Sequence, residues 1–276
     1  IKMTNCLFDP VAVPFNMTGC STFARKDNTT TLTLENCYYT KMYGQYEPGG
    51  STYYVIQSGK DWELFKDFVE NSAKGTAINA ILSTDITITA MIGSGDKPYT
   101  GIFDGNGHTI TANIKGNSTW AAPFQYVGDA EIKNLAVKGS IDGGIHCSGL
   151  IGASVSKKSI TISNVHVSAK ITTSDKYAGG FVGHGTEANH TISNCRFDGT
   201  ITTAGGSPSY AGAFIGWENG GASNEVKNCY ENGSYVGVDH AGMNYQYFIG
   251  IGGFAYGNGG NNTNNYSSHD WGEIGA

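Results

Sequence analysis

The pair Asn194-Cys195 is the first candidate for chemistry, because it interrupts the strand-like stretch HTISNCRFDGTI (190–201). A cysteine can act as a nucleophile, as half of a disulfide or as a small buried apolar residue. No histidine stands at a recognisable partner position for a cysteine nucleophile. The six cysteines include no C-x-x-C pair, and the calcium-binding nonapeptide repeat is absent. We therefore expect neither a metal nor a cofactor.

Carboxylates are the other candidates, because a glycosidase needs two of them across a cleft. No motif in the sequence ties any two of the acidic residues together. GHG (183–185) is similar to a motif of polygalacturonases, but the paired aspartate motifs that accompany it there are missing. The sequence therefore predicts no catalytic residue, His184 included. The acidic residues considered are Asp104, Asp142, Asp175, Asp198, Glu218 and Glu231.

Composition favours a turn-dense all-β protein. Of the 276 residues only 14% are charged, whereas 40 are glycine and 16 are tyrosine. The net charge of −6 argues against binding to nucleic acid or to anionic membranes. No apolar run is long enough to span a bilayer. We expect an extracellular or cell-surface location, without membrane insertion.

Two markers recur with a period of about thirty residues. An asparagine after a polar residue stands at 134, 164, 194 and 228, with spacings of 30, 30 and 34. A second marker, small-small-apolar-apolar-glycine, appears as SGLIG (148–152), GGFVG (179–183) and GAFIG (212–216). Asn5 and Asn36 are 31 residues apart in matching contexts.

This periodicity predicts the rungs of a parallel β-solenoid. Within each repeat the apolar residues alternate, and the asparagine absorbs a shift of phase. Asparagine tolerates the left-handed αL backbone and can pass amide hydrogen bonds along a stack. We therefore expect a structural ladder formed by Asn134, Asn164, Asn194 and Asn228, with Asn5 and Asn36 in an equivalent one.

The cysteines that follow ladder positions should lie about one strand spacing, ~5 Å, apart on neighbouring rungs. These pairs are Cys195 with Cys229, and Cys6 with Cys37. Because leucine and valine occupy the equivalent position elsewhere, the default expectation is a buried thiol. A disulfide within each pair is the alternative.

SGKDWELFKDFVENSAKG (58–75) is the one convincing helix. Ser58 and Asp61 form a capping-box pattern, and an apolar stripe includes Trp62 and Phe65. We interpret this helix as a cap over one end of the solenoid. The expected organisation is 1–46 as terminal rungs of a preceding solenoid or strands folding back on the next, 47–57 as a linker, 58–75 as the cap and 76–276 as the β-helix.

The motifs resemble those of the GLUG-repeat proteins of bacterial cell surfaces. SGLIG and GGFVG look like the motif that names the repeat, and the order DWELF, TDITIT, YTGIFDGNGHTI, GGFVG, ISNC is similar to that of large secreted bacterial proteins. The resemblance covers about 58–260, and 1–46 more weakly. It implies a right-handed parallel β-helix in an adhesin-like surface or secreted protein. Together with the helix at 58–75, the expected fold is all-β, a right-handed parallel β-helix with one N-terminal capping α-helix.

Three functions remain open from the sequence. The first is a non-enzymatic structural or adhesive module that contacts glycans or host and bacterial surfaces. The second is a carbohydrate-active hydrolase or lyase, and the third is a fibre subunit that self-associates through its solenoid ends. Aromatic residues near the C-terminus can either stack on sugars or plug the solenoid end. They include Tyr245, Tyr247, Tyr256 and Trp271.

Overall fold

The computed structural model describes residues 2–4, 7–8, 33–35, 38–39, 53–71, 75–116, 118–175, 177–204, 209–218, 223–238, 261–263 and 265–267. The described strands pair in parallel throughout and form a β-solenoid of about 6 turns. The predicted all-β parallel β-helix is therefore confirmed.

The amino-terminal segment forms two small parallel sheets of its own. Strand β1 (Lys2–Thr4) pairs with β3 (Thr33–Glu35), and β2 (Leu7–Phe8) pairs with β4 (Tyr38–Tyr39). Lys2 lies opposite Thr33, so the predicted 31-residue period is also the pairing register. Whether this segment continues a preceding solenoid or folds back on the next stays a prediction.

In the solenoid, strands at the same position of successive coils stack into columns. The column before the asparagine corner holds β5 (Tyr53–Ile56), β6 (Asn79–Leu82), β8 (Ile102–Asp104), the start of β11 (Ala130–Gly143), the start of β14 (Ser159–Val167), β18 (Asn189–Ser193), β23 (Glu225–Lys227) and β26 (Asn261–Thr263). The column after the corner holds β7 (Ile86–Ile88), β9 (Thr109–Lys115), the middle of β11, the end of β14, β19 (Arg196–Phe197), β24 (Tyr230–Glu231) and β27 (Tyr266–Ser267).

The remaining columns complete each coil. The ends of β9 and β11 stack on β15 (Lys170–Thr173), β20 (Thr200–Thr202) and β25 (Ser234–Val236). A short column holds β12 (Cys147–Ser148), β16 (Tyr177–Gly179) and β21 (Tyr210–Gly212). The last holds β10 (Phe124–Val127), β13 (Ile151–Ser154), β17 (Val182–His184) and β22 (Ile215–Trp217).

Helix α1 (Gly59–Asn71) begins at the predicted cap. The hydroxyl of Ser58 accepts a bond from the Asp61 amide at 3.2 Å and donates to the Asp61 carboxylate at 2.9 Å. The helix buries Trp62 completely, and that ring packs against Phe103 and Phe124 with centroids 5.8 and 5.5 Å apart. The helix therefore covers core aromatics of the first coils, and a short 3-10 helix (Gly75–Ala77) follows.

The segment 47–57, which the sequence predicts as a linker, contains a strand. Tyr53–Ile56 form β5, which pairs in parallel with β6. The physical reason lies in the side chains of YYVI: aromatic and β-branched residues suit a strand, and Tyr54 and Ile56 alternate into the core. The solenoid therefore begins before the helix.

The small-small-apolar-apolar-glycine marker has a packing explanation. Its apolar residues stack in the core, where the rings of Phe181 and Phe214 lie 5.3 Å apart. Its last glycine lies against a neighbouring backbone. A Cβ at Gly183 would overlap the carbonyl oxygen of His146, and a Cβ at Gly216 would overlap that of Ala178.

Candidate functional site

The four ladder asparagines share one backbone conformation. Asn134, Asn164, Asn194 and Asn228 have φ of 53, 53, 54 and 53°, which is the left-handed region. Asparagine adopts this conformation at lower cost than other non-glycine residues, because its short polar side chain bonds locally. The same corner between two strand columns is thereby repeated on four successive coils.

Their side chains form the predicted ladder in two segments. The amide nitrogen of Asn164 donates to the amide oxygen of Asn134 at 2.9 Å, and Asn134 donates to Asp104 at 3.1 Å. Asn228 donates to the amide oxygen of Asn194 at 3.3 Å. Within the described residues, no hydrogen bond joins Asn164 to Asn194. We call this interval between Asn164 and Asn194 the open step. The amide oxygen of Asn164 and the amide nitrogen of Asn194 have no side-chain partner there in the described part of the chain, and both residues are exposed.

The cysteines after the ladder are buried and free. Cys195 and Cys229 are 2% and 1% exposed, in the column that also holds Leu135 and Val165. Each thiol donates to the carbonyl two residues before it, Ser193 at 3.1 Å and Lys227 at 3.2 Å. Burial, and then the neighbouring Cys229, raise the pKa of the Cys195 thiol well above its usual range, which disfavours the nucleophilic thiolate. The structure therefore has the buried thiols of the default expectation at this pair, and Cys195 and Cys229 are not joined by a disulfide in it.

Two residues beyond each ladder asparagine, a second line of side chains runs along the solenoid. This outer column consists of Ala136, His166, Arg196 and Tyr230, and it continues to Tyr266 on the next coil, all paired in register from coil to coil. Its last two members are exposed tyrosines. Tyr230 is 36% exposed and Tyr266 is 68% exposed, and both are among the few large apolar side chains that the described residues expose.

A groove of about 310 Å³ lies between the ladder and the outer column. Amides, an imidazole, a guanidinium and short apolar groups line it, and no carboxylate of the described residues does. The lining consists of Gly107, Asn134, Leu135, Ala136, Asn164, Val165, His166, Asn194 and Arg196.

Asp198 holds the two basic side chains of the groove. Its Oδ2 accepts from Arg196 Nε at 2.5 Å and lies 2.7 Å from His166 Nε2. Burial opposes ionisation of Asp198, but these bonds outweigh it and lower its pKa, while the same contact raises the pKa of Arg196. Arg196 also lies 5.3 Å from the centre of the Tyr230 ring. The guanidinium is therefore fixed and its charge is compensated.

His184 lies on another side of the coil, away from the ladder. Its ring stacks on that of His146 with centroids 4.5 Å apart, and His146 also stacks on Tyr177 at 5.0 Å. Burial, together with the neighbouring His184, lowers the pKa of His146 to about 3. Trp217 packs edge-on to Tyr177 at 4.5 Å. His184 is thus part of a packed aromatic face.

A buried network that the sequence did not suggest spans three coils. Ser154 Oγ lies 2.8 Å from His190 Nε2, and His190 Nδ1 lies 2.8 Å from Asn224 Oδ1. The Asn224 oxygen also accepts from the His190 amide at 3.1 Å. The order resembles that of a hydrolytic triad, but the three residues are 3%, 1% and 2% exposed. With no access for substrate, the network stabilises the core.

The acidic candidates occupy separate environments. Asp104 accepts bonds from the backbone of Asn106 at 2.8 Å and from the ladder. Glu218 and Glu231 are buried; Glu218 accepts from the Glu187 amide at 2.7 Å, and Glu231 from Tyr235 at 2.9 Å. Asp142 accepts from Ser140 at 3.4 Å, and the backbone amide of Asp175 donates to Thr173 at 3.1 Å.

Several predicted residues lie outside the described part of the chain. They are the ladder asparagines Asn5 and Asn36, the cysteines Cys6 and Cys37, and the aromatics Tyr245, Tyr247, Tyr256 and Trp271. The outer column was missed, although the sequence held a signal for it: a fixed offset of two residues from each ladder asparagine. Its residues differ in type, so the repeat alone did not mark them.

Comparison with known proteins gives no match among family models, curated proteins or solved structures. Among the described residues, none of the helical segments is both long and apolar enough to cross a membrane. The same residues contain no group of three or more histidine, cysteine, aspartate or glutamate side chains that could hold a metal ion.

Proposed function

We propose that this chain is a non-enzymatic, glycan-contacting module of a large bacterial surface or secreted protein. The resemblance of its repeats to the GLUG motif supports the bacterial and extracellular setting. The rigid parallel stack supports a structural role, because a solenoid presents an extended surface whose side chains are held by their neighbours.

The observation that carries the proposal is the combination of the groove and the outer column. Neutral amides and a fixed guanidinium line the groove. In the same column, Tyr230 and Tyr266 expose ring surface. Sugars present hydroxyl groups for such amides and apolar faces for such rings, and exposed tyrosines supply contact area at low entropic cost.

The lining of the groove supports binding without cleavage. A glycosidase places two carboxyl groups across the scissile bond. The described lining contains neither aspartate nor glutamate, and the nearby Asp198 is already bonded to Arg196 and His166.

The proposal is tested by measuring binding and turnover on the same panel of soluble bacterial, plant and host polysaccharides. We expect at least one to bind, with no release of reducing ends or unsaturated products. Binding should weaken in Tyr230→Ala and Tyr266→Ala but not in Val236→Ala, which removes another exposed apolar side chain, 53% exposed, from a different column. A panel without any binder, or release of products, would overturn the proposal.

A further inference from the structure

We propose that the groove holds a neutral glycan chain extended along the solenoid axis, with successive sugars on successive coils. This inference rests on the proposed function and specifies the ligand class and its direction.

The direction follows from the repeat of the site. Ala136, His166, Arg196 and Tyr230 lie one above another in parallel register. Neighbouring strands are ~4.8 Å apart, which is close to the length of one extended pyranose residue. A chain along the axis therefore meets equivalent corners at each sugar, whereas a chain across it would meet a single corner.

The open step supplies a binding position for a hydroxyl group. The amide oxygen of Asn164 can accept a hydrogen bond and the amide nitrogen of Asn194 can donate one, and neither has a partner among the described residues. Both side chains are exposed and line the groove. A sugar hydroxyl, which donates and accepts at once, fits between an acceptor and a donor on adjacent coils.

The charge of the groove indicates a neutral chain. Arg196 is neutralised by Asp198, and the described lining offers no further lysine or arginine. A polyanionic chain would need cations beyond this pair. The guanidinium still has donors other than Nε for neutral oxygens.

The groove and the coils that follow it differ in chemistry. Within the groove, the coils at Asn134 and Asn164 offer amides beside small or polar outer side chains. Beyond the groove, the outer column continues to the rings of Tyr230 and Tyr266, of which Tyr266 is the more exposed. A chain that spans both therefore gains hydrogen bonds at one end and stacking at the other.

The test uses isothermal titration calorimetry with neutral β-1,4-linked oligomers of glucose, mannose, xylose and N-acetylglucosamine, from two to six sugars long. We expect affinity to rise by about fivefold for each added sugar that gains one hydrogen bond, until the chain has passed the ladder coils. Asn194→Gly keeps the left-handed backbone but removes the donor. We expect it to weaken the hexamer about fivefold.

Coils are tested one at a time with Asn164→Gly, Asn194→Gly and Tyr230→Ala, each checked by circular dichroism to be fully folded at the temperature of the titration. If the glycan chain lies along the solenoid axis, each of the three substitutions should weaken binding of the hexamer. If the hexamer binds but affinity does not depend on length, or only one coil matters, the axial arrangement is wrong and the proposed function stands. If none of the oligomers and none of the polysaccharides binds, the proposed function itself fails.

Discussion

Four asparagines at the same corner of successive coils combine two requirements in one residue type. The backbone needs a positive φ of 53–54°, and the side chain needs both an amide donor and an amide acceptor. Glycine meets the first requirement alone, and aspartate lacks the donor. The ladder was predictable because the repeat showed the same residue at each corner. The open step was not, since amide orientation depends on neighbouring side chains.

Substitution at Asn164 separates the two requirements. We expect Asn164→Ala to be less stable than Asn164→Gly by about 1 kcal/mol, because both lose the bond to Asn134 but only alanine carries the cost of the left-handed backbone. The measurement is urea unfolding followed by circular dichroism. Equal midpoints for the two variants would show that the corner does not select for backbone conformation.

At the scale of strands and helices, packing between coils determines which features the sequence alone can predict. The His190 network joins three coils, and no sequence pattern marks it because its members lie 36 and 34 residues apart. The strand Tyr53–Ile56 was missed because its partner is in the coil beyond the helix. In contrast, the helix start was predictable, since its cap is local.

Because the imidazoles of His146 and His190 are buried, we expect the folded protein to lose stability at acidic pH. Burial lowers the pKa of His190 to about 4 and that of His146 to about 3, below the ordinary value of 6.5. The unfolded chain therefore takes up protons first as the pH falls. Their contribution to stability is fully present above pH 6.5 and is lost as the pH falls from there towards 4 and 3.

We expect the free energy of unfolding of the native chain to fall relative to His190→Gln by about 1.4 kcal/mol per pH unit over this range. Chemical denaturation at pH 7, 6 and 5 measures the difference, and carboxylate effects common to both proteins cancel. Parallel stability curves for the two proteins would contradict a neutral buried His190.

Gly183, the last glycine of the repeat motif, lies where a larger residue would clash with a neighbouring backbone. A Cβ there would overlap the carbonyl oxygen of His146 and lie 2.8 Å from that of Gly152. We expect Gly183→Ala to destabilise the protein by about 1–3 kcal/mol. Gly95→Ala is the matched control, because its Cβ would meet only the Tyr126 ring, at 3.9 Å. Equal thermal transitions for the two variants would refute the packing explanation of the motif.

For the molecule as a whole, one repeat of about thirty residues determines the architecture. Lys133, Ser163, Ser193 and Lys227 lie opposite one another, so the spacings of 30, 30 and 34 in the sequence are the pairing register itself. The fold was predictable for this reason. The groove was not, because it forms between the ladder and a column of dissimilar residues, which only the stacked coils bring together.

The central claim is that the groove beside the ladder is a glycan-binding surface. A crystal structure of the chain with a bound oligosaccharide, chosen from the panel that binds in solution, tests it most directly. The account predicts an intact chain along the solenoid axis, with a hydroxyl group between Asn164 and Asn194 and a sugar against Tyr230 or Tyr266. A ligand on the face of His146, Tyr177 and Trp217, or a cleaved ligand anywhere, would contradict it.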